Sequence, residues 1–133
     1  MIHSFQIGDT YNHGFEINNT KYHQFIDLSD DHNLMHVDDE YPKQFGFKGK
    51  IMHGNILNAF LSYFIGECLP IKNVVIQSQN IEYKKPIYLD TILKLEVVVD
   101  SVVESVNVVI FKFKFLSLEG NVFAKGKIQI GVL

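Results

Sequence analysis

The spacing of apolar residues changes twice along this chain, and each change marks a different kind of element. Through residues 1–50 the pattern is mixed and polar. Tyr22, Phe25 and Ile26 fall at i, i+3 and i+4, which predicts a short helix with one buried stripe. Asn19 or Thr20 is placed to cap it, and it should end near Leu28–Ser29. Asp38 is placed to cap a second short helix over residues 39–45, where Pro42 is tolerated only within the first turn. Gly46 and Gly49 then mark a loop. From 51 to 69 apolar residues lie almost all round: Ile56, Leu57, Ala59, Phe60, Leu61, Phe64, Ile65, Cys68 and Leu69. A helix apolar on most faces is a buried one. It is expected over about residues 53–67, with Pro70 stopping it. One narrow stripe differs, because Asn55, Asn58 and Ser62 share a face and need partners there.

From residue 71 the period becomes two. Residues 73–83, 90–102, 107–118 and 122–130 each read as a strand. In the third of these, Val109, Phe111, Phe113 and Phe115 point one way and Lys112 and Lys114 the other. Residues 119–121, Glu-Gly-Asn, are a hairpin turn. Alternation of this kind predicts an antiparallel sheet with one packed face. One buried helix and four or five such strands make an α+β domain in which the helix covers the sheet. The length of 133 residues suits a single domain spanning 1–133.

Composition narrows the partners. The formal net charge is −3, which argues against a nucleic-acid partner. The one cysteine, Cys68, excludes an internal disulfide and fits a reducing compartment. No secretory signal and no apolar run long enough to span a membrane are visible, so a cytoplasmic location is expected.

The chemistry concentrates in SDDHNLMHVDDEY, residues 29–41, which places five carboxylates and two histidines in thirteen positions. Asp31 and His36 would be roughly 140° apart on a straight helix, so only a bent segment brings them together. From the pattern alone, a solvated acidic loop that caps the next helix is the favoured reading. A metal site from Asp31, His32, His36 and His53 lacks the HxH or HExxH spacing that would support it, so no metal is expected.

Residues 28–70, LSDDHNLMHVDDEYPKQFGFKGKIMHGNILNAFLSYFIGECLP, resemble the hydratase motif of the MaoC-like, (R)-specific enoyl-CoA hydratase family. Ser29, Asp31, Asn33, His36 and Asp38 fall on its fixed positions, and His53–Gly54 match the start of its helix. Residues 80–91, NIEYKKPIYLDT, resemble the family's strand that ends in an aromatic residue, a charged residue, x-Pro and an Asp-Thr pair. Three positions depart from the usual residues: Asp30 stands for Gly, Leu34 for Pro and Leu89 for Gly. The resemblance implies a hot-dog fold, a curved antiparallel sheet wrapped around a long central helix, with two subunits pairing edge to edge.

The activity it implies is reversible syn addition of water to a trans-2-enoyl thioester, giving an (R)-3-hydroxyacyl thioester. Asp31 and His36 would be the acid/base pair. The Gly54 amide would stabilise the thioester oxygen, and Ser62 would line the pocket. Asn33 and His53 would support the segment. No cofactor is implied beyond the coenzyme A or acyl carrier protein that carries the acyl group. Lys84 and Lys85, with Lys48 and Lys50, are candidates to meet phosphates or an acidic carrier. Phe45, Phe47, Met52 and Phe60 are candidates for an acyl tunnel and equally for core. Two alternatives stay open: a non-catalytic hot-dog subunit that binds acyl thioesters, and a thioesterase, for which Glu67 is the sole acid within 53–70.

Overall fold

A computed structural model describes residues 1–133. Five strands form one antiparallel sheet: β1 (Thr10–Glu16), β2 (Val74–Tyr83), β3 (Ile92–Val103), β4 (Val108–Leu116) and β5 (Val122–Val132), in the spatial order β1-β3-β4-β5-β2. The four strands read from alternation lie where they were expected. β1 is an additional strand within the stretch read as mixed. Its Tyr11, His13 and Phe15 alternate inward, but only Phe15 is fully buried, because β1 is an edge strand paired to β3 alone.

The inner face of the sheet is the packed one. Leu93, Leu95, Val97 and Val99 of β3 and Val109, Phe111, Phe113 and Phe115 of β4 are all buried. Each such side chain contributes about 1.5–3 kcal/mol by leaving water. Register shifts at Ile76/Ser78 and Val99/Ser101 insert extra residues, which bend a strand and raise its twist.

Three α-helices accompany the sheet: α1 (Asn19–Ser29), α2 (Leu34–Val37) and α3 (Ile56–Tyr63). In α3, Leu57 and Leu61 are wholly buried, and they join the strands in one core cluster. The central helix is shorter at its start than expected. His53 and Gly54 precede it, and Asn55 is its N-cap. Beyond Tyr63 it continues as a π turn over Phe64–Cys68, where Lys72 Nζ closes the end on the Gly66 and Glu67 carbonyls. It is also not buried all round, since Ala59, Ser62, Tyr63, Gly66 and Glu67 are exposed along one side. The cap of α1 is Asn18, whose side chain accepts the Lys21 amide, rather than Asn19 or Thr20. The second short helix is a 3₁₀ segment, Tyr41–Phe45. Asp38 nonetheless serves its start by accepting the Glu40 and Tyr41 amides at 2.7 and 2.9 Å, which hold its carboxyl below the usual carboxylate range.

Candidate active site

Asp31 and His36 do not share a straight helix. α1 ends when Asp30 takes a left-handed conformation, φ 54°. Glycine meets no Cβ penalty in that region, and Asp is one of the few other residues that visits it routinely. Asp30 therefore fits the position the motif usually gives to Gly. Leu34 is the first residue of α2, and Asn33 before it has φ −55° and ψ 134°. That is the extended backbone a following proline imposes, and the first helical position is where proline is favoured. Leu34 thus occupies a proline-shaped place without needing the ring. At Leu89 no special backbone is called for, because the positive φ, 66°, falls on Asp90.

Between these two helices the chain is pinned by its own side chains. Ser29 Oγ accepts the Asp31 amide at 3.2 Å, Asp31 Oδ1 accepts the Asn33 amide at 3.1 Å, and Asn33 Oδ1 accepts the Met35 amide at 2.9 Å. The buried Tyr22 of α1 donates its hydroxyl to the His36 carbonyl, which ties α2 to α1. Asn33 thereby caps α2 and leaves Asp31 Oδ2 free.

The two imidazoles have defined proton positions because their partners are carbonyls, which only accept. His36 Nδ1 donates to the Ile51 carbonyl at 2.9 Å, so its Nε2 carries the lone pair. That Nε2 lies 4.0 Å from Asp31 Oδ2. The gap is too long for a hydrogen bond and short enough for one water to touch both atoms. His53 Nε2 donates to the Asp31 carbonyl at 3.0 Å, and its ring stacks on His36 with centroids 4.1 Å apart. The ligating atoms of Asp31, His36 and His53 lie within 4.8 Å of one another. Binding a metal would cost the His53–Asp31 hydrogen bond, because the nitrogen facing the group is the protonated one.

His53 is 3% exposed. Burial holds its pKa below the ordinary 6.5; the hydrogen bond to the Asp31 carbonyl pulls the other way, His36 adds to the lowering, and the Asp31 carboxylate opposes it. The unfolded chain therefore takes up a proton near pH 6.5 that the folded chain resists. The stability that follows is whole above that pH and is lost as the pH falls through the folded pKa. The midpoint of urea unfolding should drop between about pH 7 and pH 5.5. His53→Gln should flatten that slope, and an unchanged slope would remove His53 as its source.

A cleft of about 480 Å³ adjoins the pair, lined by His36, Phe47, Ile51, Met52, Gly54, Asn55, Tyr83, Lys84, Lys85, Pro86 and Ile87. At its wall the amides of Gly54 and Asn55 donate to no carbonyl, since the first bonded amide of this turn is Ile56. Gly54 leaves room there for the Tyr83 ring. A Cβ on it would stand 2.8 Å from Tyr83 Cε1. Asn55 and Asn58 find the partners their stripe required. Asn58 Nδ2 donates to Asn55 Oδ1 at 2.9 Å, Gln79 donates to Asn58 Oδ1 at 2.7 Å, and the Tyr83 hydroxyl stands 3.4 Å from Asn55 Oδ1.

Other candidates fall elsewhere. Ser62 is exposed on the open side of α3 and does not line the cleft. Lys84 and Lys85 line it, whereas Lys50 sits over the Tyr22 ring at 4.7 Å and Lys48 over Tyr88 at 5.9 Å. Of the tunnel candidates, Phe47 and Met52 face the cleft. Phe60 stacks on Phe15 at 4.4 Å, and Phe45 packs on Tyr41. Glu67 is exposed, 3.8 Å from Lys72, and lies outside the cleft. Tyr83, the aromatic that ends the resembled strand, has no role assigned from sequence, yet it lines the cleft.

A curved five-stranded antiparallel sheet around a central helix, with this cleft beside the helix start, is a hot-dog fold. A solved (R)-hydratase from Aeromonas caviae involved in PHA biosynthesis superposes with a TM-score of 0.89 at 22% identity, covering 98% of both chains. The family model described as MaoC like domain matches residues 4–115, and the chain belongs to that family. An (R)-specific enoyl-CoA hydratase of Rhodospirillum rubrum is 28% identical over 108 residues, 81% of this chain and 74% of that one. One from Aeromonas caviae is 30% identical over 80 residues, 60% of each chain. No helix is long and apolar enough to cross a membrane.

Proposed function

We propose that this protein hydrates trans-2-enoyl thioesters to (R)-3-hydroxyacyl thioesters, or runs the reverse dehydration. The observation that carries this reading is the 4.0 Å gap between Asp31 Oδ2 and His36 Nε2, two acceptor atoms that would hold one water beside the cleft. Water is a poor nucleophile at neutral pH and needs a base. The pair takes one proton as the water's oxygen bonds to C3, and one proton is returned to C2 from the same side. Negative charge passes to the thioester oxygen in between. The unengaged Gly54 amide, at the wall of the same cleft, is the donor placed to meet it. The reaction draws on the chain's own acid, imidazole and amide, and the thioester carrier is the one further group it needs.

Loss of the enoyl thioester absorbance of crotonyl-CoA, followed over time with purified protein, tests the reading. Steady loss with (R)-3-hydroxybutyryl-CoA as product supports it. No loss at micromolar enzyme would leave a binding subunit. The thioesterase alternative is disfavoured by the position of Glu67.

We further propose that two copies pair through β2. Its outward edge has no partner strand, and Val75, Ile76 and Tyr83 on it are 40–49% exposed. An open edge of this kind invites a second strand. Sedimentation should give a mass of twice the 15.3 kDa chain or a multiple of that. A monomer at all concentrations would contradict the pairing.

A further inference from the structure

The outer face of the sheet carries an unusual arrangement. Lys112 of β4 stands directly opposite Lys127 of β5, and Lys114 opposite Lys125. All four are exposed. Neighbouring strands lie about 4.8 Å apart and alternate residues about 7 Å, so four ammonium groups spring from one small rectangle. Like charges placed directly opposite destabilise a sheet. Counter-charge is partial: Asp100 reaches Lys112 at 3.3 Å and Lys127 at 3.8 Å, and Glu96 and Glu82 stand across the strands from Lys114 and Lys125. Lys114 and Lys125 have no ion-pair partner. The acids opposite them pair more closely with other lysines, Glu96 with Lys94 at 3.2 Å and Glu82 with Lys84 at 2.7 Å.

This block is continuous with the cleft. Glu82 is in register with Lys125, and the next three residues, Tyr83, Lys84 and Lys85, line the cleft. The amides of Lys84 and Lys85 both donate to the Phe123 carbonyl, two residues before Lys125. A surface on which lysines outnumber Glu82, Glu96 and Asp100 therefore runs from the mouth to β5 and β4, on a chain whose net charge is −3. Strand amides here are used in the ladder, and no glycine-rich loop or amide nest offers a compact phosphate a seat. The area is broad and open, which fits a partner that presents several carboxylates along a surface.

We propose that Lys112, Lys114, Lys125 and Lys127 form the docking face for an acidic acyl carrier protein, with Lys84 and Lys85 guiding its phosphopantetheine arm into the cleft. The cargo rests on the hydratase reading, whereas the contact does not. Titration of the wild-type protein with a purified bacterial holo acyl carrier protein, at low and high salt, tests the contact. Crotonyl thioesters on that carrier and on coenzyme A test the delivery. The wild type should bind the carrier with an affinity that falls steeply as salt rises. Lys114→Glu/Lys125→Glu should weaken that binding, and kcat/KM on the carrier-borne substrate, by about tenfold or more, while kcat/KM on crotonyl-CoA stays within about twofold. Lys114→Gln/Lys125→Gln should give an intermediate loss with no charge reversal.

Carrier binding that is indifferent to these variants overturns the proposal, as does an equal fall on both substrates. A wild type that hydrates neither thioester overturns the activity reading instead, and the titration then decides the docking face by itself.

Discussion

Asp31→Asn and His36→Ala are each expected to lower kcat for hydration of crotonyl-CoA by about a thousandfold, with KM little changed. Asp31→Asn keeps a side-chain oxygen for the Asn33 amide, so the segment retains the turn set by that hydrogen bond. It removes the basic Oδ2 that faces His36 across 4.0 Å. His36→Ala removes the Nε2 lone pair and also the anchor to the Ile51 carbonyl. Its main chain remains held by Tyr22, so circular dichroism should show an intact fold. Because the two groups share one water, the double variant should be hardly worse than either single one. Wild-type rates in either variant would remove the assignment.

The second large effect is expected at Gly54. Gly54→Ala adds a methyl group 2.8 Å from Tyr83 Cε1 and 3.0 Å from Cζ, so the ring or the turn must move. Where the turn moves, the amide is displaced from the cleft wall; where the ring yields instead, Tyr83 shifts within the cleft it lines. Loss of one donor of this kind costs about a hundredfold or more in kcat. Tyr83 hangs at the exposed end of β2, and its hydroxyl makes only long hydrogen bonds, to Asn55 and Asn58. Thermal stability should therefore change far less than rate. Gly54→Ala/Tyr83→Leu should recover part of the lost kcat by clearing the ring from the new methyl. A single variant with unaltered kcat would show that the amide has no part in the chemistry.

The sheet was legible because its inner face is strongly apolar at strict alternation. Val109, Phe111, Phe113 and Phe115 against Lys112 and Lys114 leave no second reading, and those burials are what the structure has. β1 was missed for the opposite reason. An edge strand buries one neighbour's worth of surface, so His13 and Tyr11 carry only a weak apolar signal. The central helix was read too long at its start because propensity is silent on a free turn. The apolar run that follows sets no exact start, and the bonds from Ile56 to His53 and from Leu57 to Gly54 make His53, Gly54 and Asn55 a turn ahead of the helix. Its open side could not be foreseen either, since Ala59 and Tyr63 look like core while one chain leaves them uncovered.

The motif placed Asp31 and His36 in one segment, but spacing alone pointed away from contact. What brings them together is the left-handed Asp30 and the cap at Asn33, both short polar residues whose backbone effect depends on context. The tautomers of His36 and His53 depend on carbonyls at Ile51 and Asp31, and no sequence pattern encodes those bonds. The lysine block is visible only once β4 and β5 are in register, because alternation fixes the face of a residue and not its cross-strand neighbour.

The most direct test is the stereochemical course of hydration in D₂O. A crotonyl thioester incubated with the protein should give 3-hydroxybutyryl product with R configuration at C3 and a single deuterium at C2, added to the same face as the oxygen. That outcome follows from one acid/base pair that serves both carbons from one side. Anti addition, or deuterium scrambled over both C2 positions by the enzyme itself, would mean that Asp31 and His36 do not share the water as described.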